Sequence, residues 1–273
     1  MSVIVQRPGL PASALLVDIG NSRIGMAGWY DGRIRPSRQL TIGQIEAEPD
    51  WLATAWRDLP DLSRRHAVIS SVSPPILERL ARLLAAHCDE AAVLVVGRDV
   101  PPPIVANVSE PDRVGTDRLC SAAAAHRHAK RACVVASFGT ALTVDLVSDD
   151  GIFMGGAILP GMALAARALH EHTALLPHVE LAEPSEVWGT NTAEAIRVGI
   201  VCGLRGALRE IVERYATRIG RWPAVLLTGG DADRLKDAID FADAVVPDLC
   251  LQGIALAVEK AAASPSGGAS RNG

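Results

Sequence analysis

Short apolar runs that end in polar, glycine-containing turns recur along this chain. Leu15–Asp18 is such a run, and Arg23–Tyr30 then alternates with the two-residue period of a strand before the turn Asp31-Gly32. The pattern predicts an opening β-hairpin. His66–Ser71 and Ala91–Val96 read as buried strands, whereas Ile76–His87 and Asp117–Lys130 carry Ala and Leu at helical spacing. Ala193–Leu208 predicts a further helix, and Leu227 precedes another glycine turn, Thr228-Gly-Gly-Asp231. Alternating strands and helices predict an α/β fold.

The pattern also repeats. Asp18, Gly20, Asp31 and Gly32 are matched 119 positions later by Ser137, Gly139, Asp150 and Gly151. Each half thus opens as strand, small polar turn, strand and Asp-Gly turn, which predicts a duplicated domain. The halves expected are residues 14–131 and 132–262, between a flexible lead-in over 1–13 and a disordered Gly/Ser-rich tail over 263–273. Two such halves would face their glycine turns across a cleft, where bare backbone N–H groups grip phosphates.

Composition narrows the function. Of 273 residues, 49% are hydrophobic and 21% charged, a globular balance. Aromatics make up 4% and the net charge is −4, so neither base stacking nor attraction to phosphate backbones or anionic lipid is expected. Nucleic acid and membranes are poor partners on this count. The start, MSVIVQRPGL, lacks a charged segment followed by a long apolar run, so no secretory leader is expected. Cys88, Cys120, Cys133, Cys202 and Cys250 are odd in number and lie in apolar surroundings, as expected of buried free thiols in a cytoplasmic protein.

Candidate chemistry sits at the turns. Asp18-Ile-Gly-Asn-Ser-Arg23 joins a carboxylate at a strand end to a glycine and two small hydrogen-bonding side chains, which suits phosphates with a divalent cation or a simple hairpin turn. Asp117, in Gly115-Thr-Asp-Arg118, reads as a helix cap or as a general base, with Arg118 gripping an anionic substrate. Ser137-Phe-Gly-Thr-Ala141 is the second turn, and Gly155-Gly156 with Pro160-Gly161 fixes a tight path after a strand. In Gly189-Thr-Asn-Thr192, Thr192 is either an N-cap or a ligand hydroxyl. His126-Arg-His128 and His170-Glu-His172 place their imidazoles on different sides of a helix, which argues against zinc. Trp51, Trp56, Trp188 and Trp222 are expected in packing, and Arg64-Arg65 is too short for an interaction patch.

Taken in order, Asp18–Arg23, Ile69-Ser-Ser-Val72, Gly115–Arg118, Phe138-Gly-Thr-Ala141, Gly155-Gly156, Pro160-Gly161, Gly189–Thr192, Thr228-Gly-Gly230 and Pro247-Asp-Leu249 resemble the type III pantothenate kinase (Bvg accessory factor) family. The resemblance spans roughly residues 14 to 260. It implies an actin-like, hexokinase-like (ribonuclease H-like) duplicated fold around an ATP cleft, and a cytoplasmic homodimer. The implied activity is transfer of the ATP γ-phosphate to pantothenate, the first step of coenzyme A biosynthesis. By the same resemblance Asp117 is the proton acceptor, and Gly115, Thr116, Asp117, Arg118 and Thr192 bind pantothenate. Asp18, Ile19, Gly20, Asn21, Ser22, Arg23, Ile24 and Gly25 would hold ATP, with Asp18 reaching Mg2+ through water, and Gly139 and Thr140 would contact ATP as well.

Two positions depart from the family pattern. Ser137 stands where the family has an aspartate that binds a monovalent cation, potassium or ammonium, and Val108 stands where an aromatic residue is common. A phosphotransferase with another small acceptor, or a non-catalytic nucleotide-binding relative with a protein partner, are the other functions open to this fold.

Overall fold

The computed structural model describes residues 13–60, 65–89, 91–184 and 186–263. In chain order its elements are β1 (Ser13–Ile19), β2 (Ile24–Tyr30), β3 (Arg33–Ile34), β4 (Arg38–Leu40), α1 (Ile42–Ala47), α2 (Pro49–Arg57), β5 (His66–Ser71), α3 (Pro74–His87) and β6 (Ala92–Val95). There follow β7 (Val105–Ala106), α4 (Thr116–Ala129), β8 (Cys133–Phe138), β9 (Ala141–Val147), β10 (Ile152–Pro160) and α5 (Met162–Glu171). The chain ends with α6 (Thr192–Ile219), β11 (Ala224–Thr228), α7 (Ala232–Leu235), β12 (Ala244–Val245) and α8 (Leu249–Ala263). The expected lead-in and tail lie outside the described residues, except that Ser13 opens β1 and Ala263 closes α8.

The first unit is built on a sheet ordered β3-β2-β1-β5-β6, with β4 also on β2. β1 and β2 form the predicted antiparallel hairpin, and β5 runs parallel to β1 with Asp18 level with Ser70. Side chains alternate across the sheet, so each strand feeds two cores. Leu15, Val17, Ile19, Ala67 and Ile69 pack against Ile45, Leu52, Trp56, Leu80 and Leu84 of α1 to α3. Ala14, Leu16 and Val68 pack on the other face against Cys120 and against Leu251, Ile254, Ala255 and Val258 of α8. By alternation, Asp18 and Ser70 belong to this second face.

The second unit is a sheet ordered β12-β11-β8-β9-β10-β7. Without β7, its order β10-β9-β8-β11-β12 repeats that of the first sheet, with the same antiparallel hairpin and parallel neighbour. The fold is therefore the duplicated α/β class expected from the repeat. The repeat is not exact in its turns. Tyr30 pairs with Arg33 across a two-residue connection in which Asp31 (φ 53°) and Gly32 (φ 66°) are both left-handed, whereas only Gly151 (φ 70°) is left-handed in the longer loop between β9 and β10. Val134, Ala136, Phe138, Leu142 and Val144 pack against Met162 and Ala166 of α5 and against Ile196, Ile200, Leu204, Leu208 and Val212 of α6.

Two contiguous halves do not describe this division. By internal contacts, residues 13–103, 115–120 and 250–263 form one unit and residues 104–114 and 121–249 the other. The apolar face of α8 covers a face of the first sheet, and β7 hydrogen-bonds to β10, so both segments leave the half in which the sequence placed them. Two further expectations are corrected. Cys202 is exposed on α6 while the other four cysteines are buried. Trp188 is 71% exposed and Trp222 40% exposed rather than packed away, because both sit in connections outside the sheets. His126 and His170 spend a ring nitrogen on the carbonyls of Asp149 and Leu176.

Candidate active site

Asp117 stands in the first turn of α4. The helix opens on Gly115, whose carbonyl accepts from Leu119 N at 3.3 Å, so Asp117 lies inside the turn and not at the cap position. A Cβ on Gly115 would collide with the Asp117 carboxylate, which is why the residue two positions earlier is glycine. Asp117 Oδ1 is sealed from solvent and has no hydrogen-bond partner among the described residues. Burial raises the carboxyl pKa above its ordinary range, against the smaller opposing pull of the Arg118 backbone N–H and guanidinium. A carboxylate so placed has the raised proton affinity that a base needs.

Its surroundings come from three other elements of the same unit. Ser70, at the end of β5, is fully buried, and its hydroxyl lies 2.9 Å from that of Thr116. Asp18 stands level with Ser70 on the neighbouring strand. Cys250, at the start of α8, hydrogen-bonds to Cys120 and lies in the field of Asp18 and Asp117; burial keeps its thiol protonated. The first unit thus brings Asp18, Ser70, Thr116, Asp117 and the Cys120–Cys250 pair together.

The run Asp18–Gly25 is the β1–β2 turn with its flanks. Gly20 N donates to Arg23 O at 3.0 Å to close it, leaving Asn21, Ser22 and Arg23 exposed. Ile19 and Ile24 commit their side chains to the core, so only their backbone is available to a ligand. Gly25 pairs with Asp18 and is buried.

In the second unit, Gly139 and Thr140 form the tight β8–β9 turn, with Gly161 N donating to Thr140 O at 3.0 Å. A Cβ on Gly161 would strike the Gly139 and Thr140 carbonyls, and one on Gly229 would strike the Phe138 backbone. Two bare glycines therefore frame this turn. Gly155 and Gly156 lie inside β10, not after a strand, and a Cβ on Gly156 would meet the buried side chain of Asp145. Ser137 is level with Thr143 on β9 and Thr228 on β11, so three neutral hydroxyl side chains share one sheet face. The N-cap of α6 is Asn191, whose side chain accepts from Glu194 N at 3.0 Å. Thr192 is consequently free of the capping role, and it lines a groove of about 800 Å³ with Leu159, Leu169, Ile196 and Ile200.

Ser70 and the Cys120–Cys250 pair lie beside Asp117, a place that sequence reasoning did not give them. Only Ser70 left a signal, as a polar residue closing an otherwise apolar strand in Ile69-Ser-Ser-Val72. Among the described residues no group of three or more His, Cys, Asp or Glu side chains could hold a metal ion. Asp18 fits a hydrated Mg2+, which commonly takes one or two carboxylates with the remaining ligands from water and phosphate. Ser137 and its threonine neighbours supply no carboxylate and do not fit a cation site built on one.

A carboxylate oxygen sealed from solvent, and backbone turns kept clear of side chains, suit phosphoryl transfer. The model of the type III pantothenate kinase family matches residues 14–214. Type III pantothenate kinases of Dehalococcoides mccartyi and Ruegeria sp. are 33% and 35% identical, over 87% and 88% of this chain and 94% of each relative. That of Akkermansia muciniphila is 39% identical over 70% of this chain and 77% of its own. The chain belongs to the type III pantothenate kinase family and is a kinase. A Campylobacter jejuni crystal structure described as a Baf family transcriptional activator shares the fold, with a TM-score of 0.56 at 20% identity over 90% of this chain and 98% of that one.

Proposed function

We propose that this protein transfers the γ-phosphoryl group of ATP to the terminal hydroxyl of pantothenate, giving 4′-phosphopantothenate and ADP in the first step of coenzyme A biosynthesis. Family membership supports the reaction, and the observation that carries the mechanism is the solvent-shielded, unpartnered Oδ1 of Asp117 in the first turn of α4. The substrate oxygen forms its bond to γ-phosphorus as the bridging oxygen leaves with ADP, and Asp117 accepts the hydroxyl proton. Gly115, Thr116 and Arg118 hold pantothenate beside that carboxylate, Arg118 by its charge, and Thr192 adds a hydroxyl. Backbone N–H groups of Asp18–Gly25, together with Gly139 and Thr140, hold the ATP phosphates. Asp18 would hold a hydrated Mg2+, which would supply neutralisation of phosphate charge.

The potassium or ammonium ion implied by the family pattern has only neutral hydroxyls to meet at Ser137, so turnover here does not require it. The enzyme works in the cytoplasm, where ATP is supplied. No described helix is long and apolar enough to cross a membrane. It works as a homodimer, for which the open apolar groove between α5 and α6 and the bare Gly199 and Gly203 of α6 offer a surface.

The test is ADP release with ATP, Mg2+ and a panel of small alcohols, with product masses measured. Phosphorylation of pantothenate above all other acceptors is expected. Preference for a different acceptor, or no turnover despite ATP binding, would overturn the reading.

A further inference from the structure

We infer that Ser70 is a positioning residue for phosphoryl transfer, holding Asp117 in register with Asp18 through its hydrogen bond to Thr116. The inference rests on the reading of Asp117 as proton acceptor. Ser70 is 0% exposed, and Val68, next to it on the same face of β5, packs into the apolar core against α8. A hydroxyl in that place costs stability unless it is bonded, and alanine would pack there without the cost. Its bond reaches Thr116, the residue before Asp117, at 2.9 Å.

The seat of Thr116 is fixed from a second side. Gly97, just beyond β6, has φ 89°, and a Cβ there would crowd the Thr116 methyl group at 3.1 Å. The hydroxyl of Thr116 is thus held by β5 and its methyl by the turn after β6. Gly115 then brings the backbone against the Asp117 carboxylate. Asp18 lies on β1 level with Ser70, so one hydroxyl pair ties the strand neighbouring Asp18 to the helix turn that bears Asp117. An ångström of drift at a reacting group costs up to about a hundredfold in rate, which makes such a tie worth a buried hydroxyl.

The experiment compares Ser70→Ala, Thr116→Val, their double variant, Thr116→Ser and Asp117→Asn for kcat, for KM of ATP and for melting temperature. Loss of the tie is expected to lower kcat by about tenfold in Ser70→Ala with KM for ATP within about twofold. The double variant should be no slower than the slower single variant, because both substitutions remove one bond. Thr116→Ser, which keeps the hydroxyl, should outpace Thr116→Val. The inference is overturned if folded Ser70→Ala turns over within about twofold of the parent, or if the two losses multiply in the double variant. Thr116→Val, a near-isosteric change at a half-buried position, carries the test if Ser70→Ala does not fold: unchanged kcat there overturns it equally. Asp117→Asn separates the two levels. Full turnover in that variant removes the proton-acceptor reading itself, whereas a dead Asp117→Asn beside a normal Ser70→Ala removes only the positioning role.

Discussion

Asp117 is the residue whose environment most directly sets a measurable property. Burial raises its pKa, with Arg118 opposing and with Asp18 and the neutral Cys250 thiol facing the same cluster. A base must be ionised to accept a proton, so under the role proposed for Asp117 kcat/KM should fall as pH drops through a value above the ordinary aspartate range of about 4. An acid limb at or below that range would contradict the burial. The same shift has a sign for stability. The folded state binds this proton more tightly than the unfolded state, so stability from this group is full below the unfolded pKa and is lost as pH rises through the folded one. At neutral pH, Asp117→Asn is therefore expected to melt above the parent, by calorimetry, and a lower melting temperature would contradict it. Asp117 and Gly115 were legible in the sequence because a carboxylate beside a bare glycine at a helix start is a chemical signal. Ser70 was visible only as a polar residue closing an apolar strand, and its role waits on its partner 46 residues away.

At the scale of elements, α4 and α8 meet where α8 has no side chain. A Cβ on Gly253 would collide with the Cys120 backbone, so α8 seats directly against the part of α4 that follows Asp117. Gly253→Ala is expected to cost about 1 to 3 kcal/mol in urea unfolding, as overpacking does, and to lower turnover because the α4 start shifts with it. Unchanged stability and rate would show that the helices have slack. The hairpin β1–β2, the strands β5 and β6 and the helices α3 and α4 were readable from periodicity to within a residue or two. The destination of α8 was not. Periodicity shows that a helix has an apolar face, and it does not show which sheet that face will cover.

For the whole molecule, the repeated strand order is the fact that the 119-residue offset foretold, and the return of 250–263 to the first sheet is the fact it could not. Loss of residues 250–273 would strip the cover from Leu16 and Val68, at the far end of the sequence. That truncation is expected to yield no cooperatively folded protein by circular dichroism and thermal melting, and a normal cooperative melt would contradict the shared core. The proposed independence from a monovalent cation also belongs to this scale. With only hydroxyls at Ser137, Thr143 and Thr228, rates in sodium, potassium and ammonium should agree within about twofold, and a steep rise with potassium would contradict it.

The central claim is that Asp117 takes the proton from pantothenate as ATP phosphorylates it. The most direct test follows 4′-phosphopantothenate by mass with ATP, Mg2+ and pantothenate, for the parent and for Asp117→Asn, with ATP binding measured in both. The account predicts product from the parent and a loss of about a hundredfold or more in the variant, with ATP binding retained. Near-parental product formation by Asp117→Asn would contradict it.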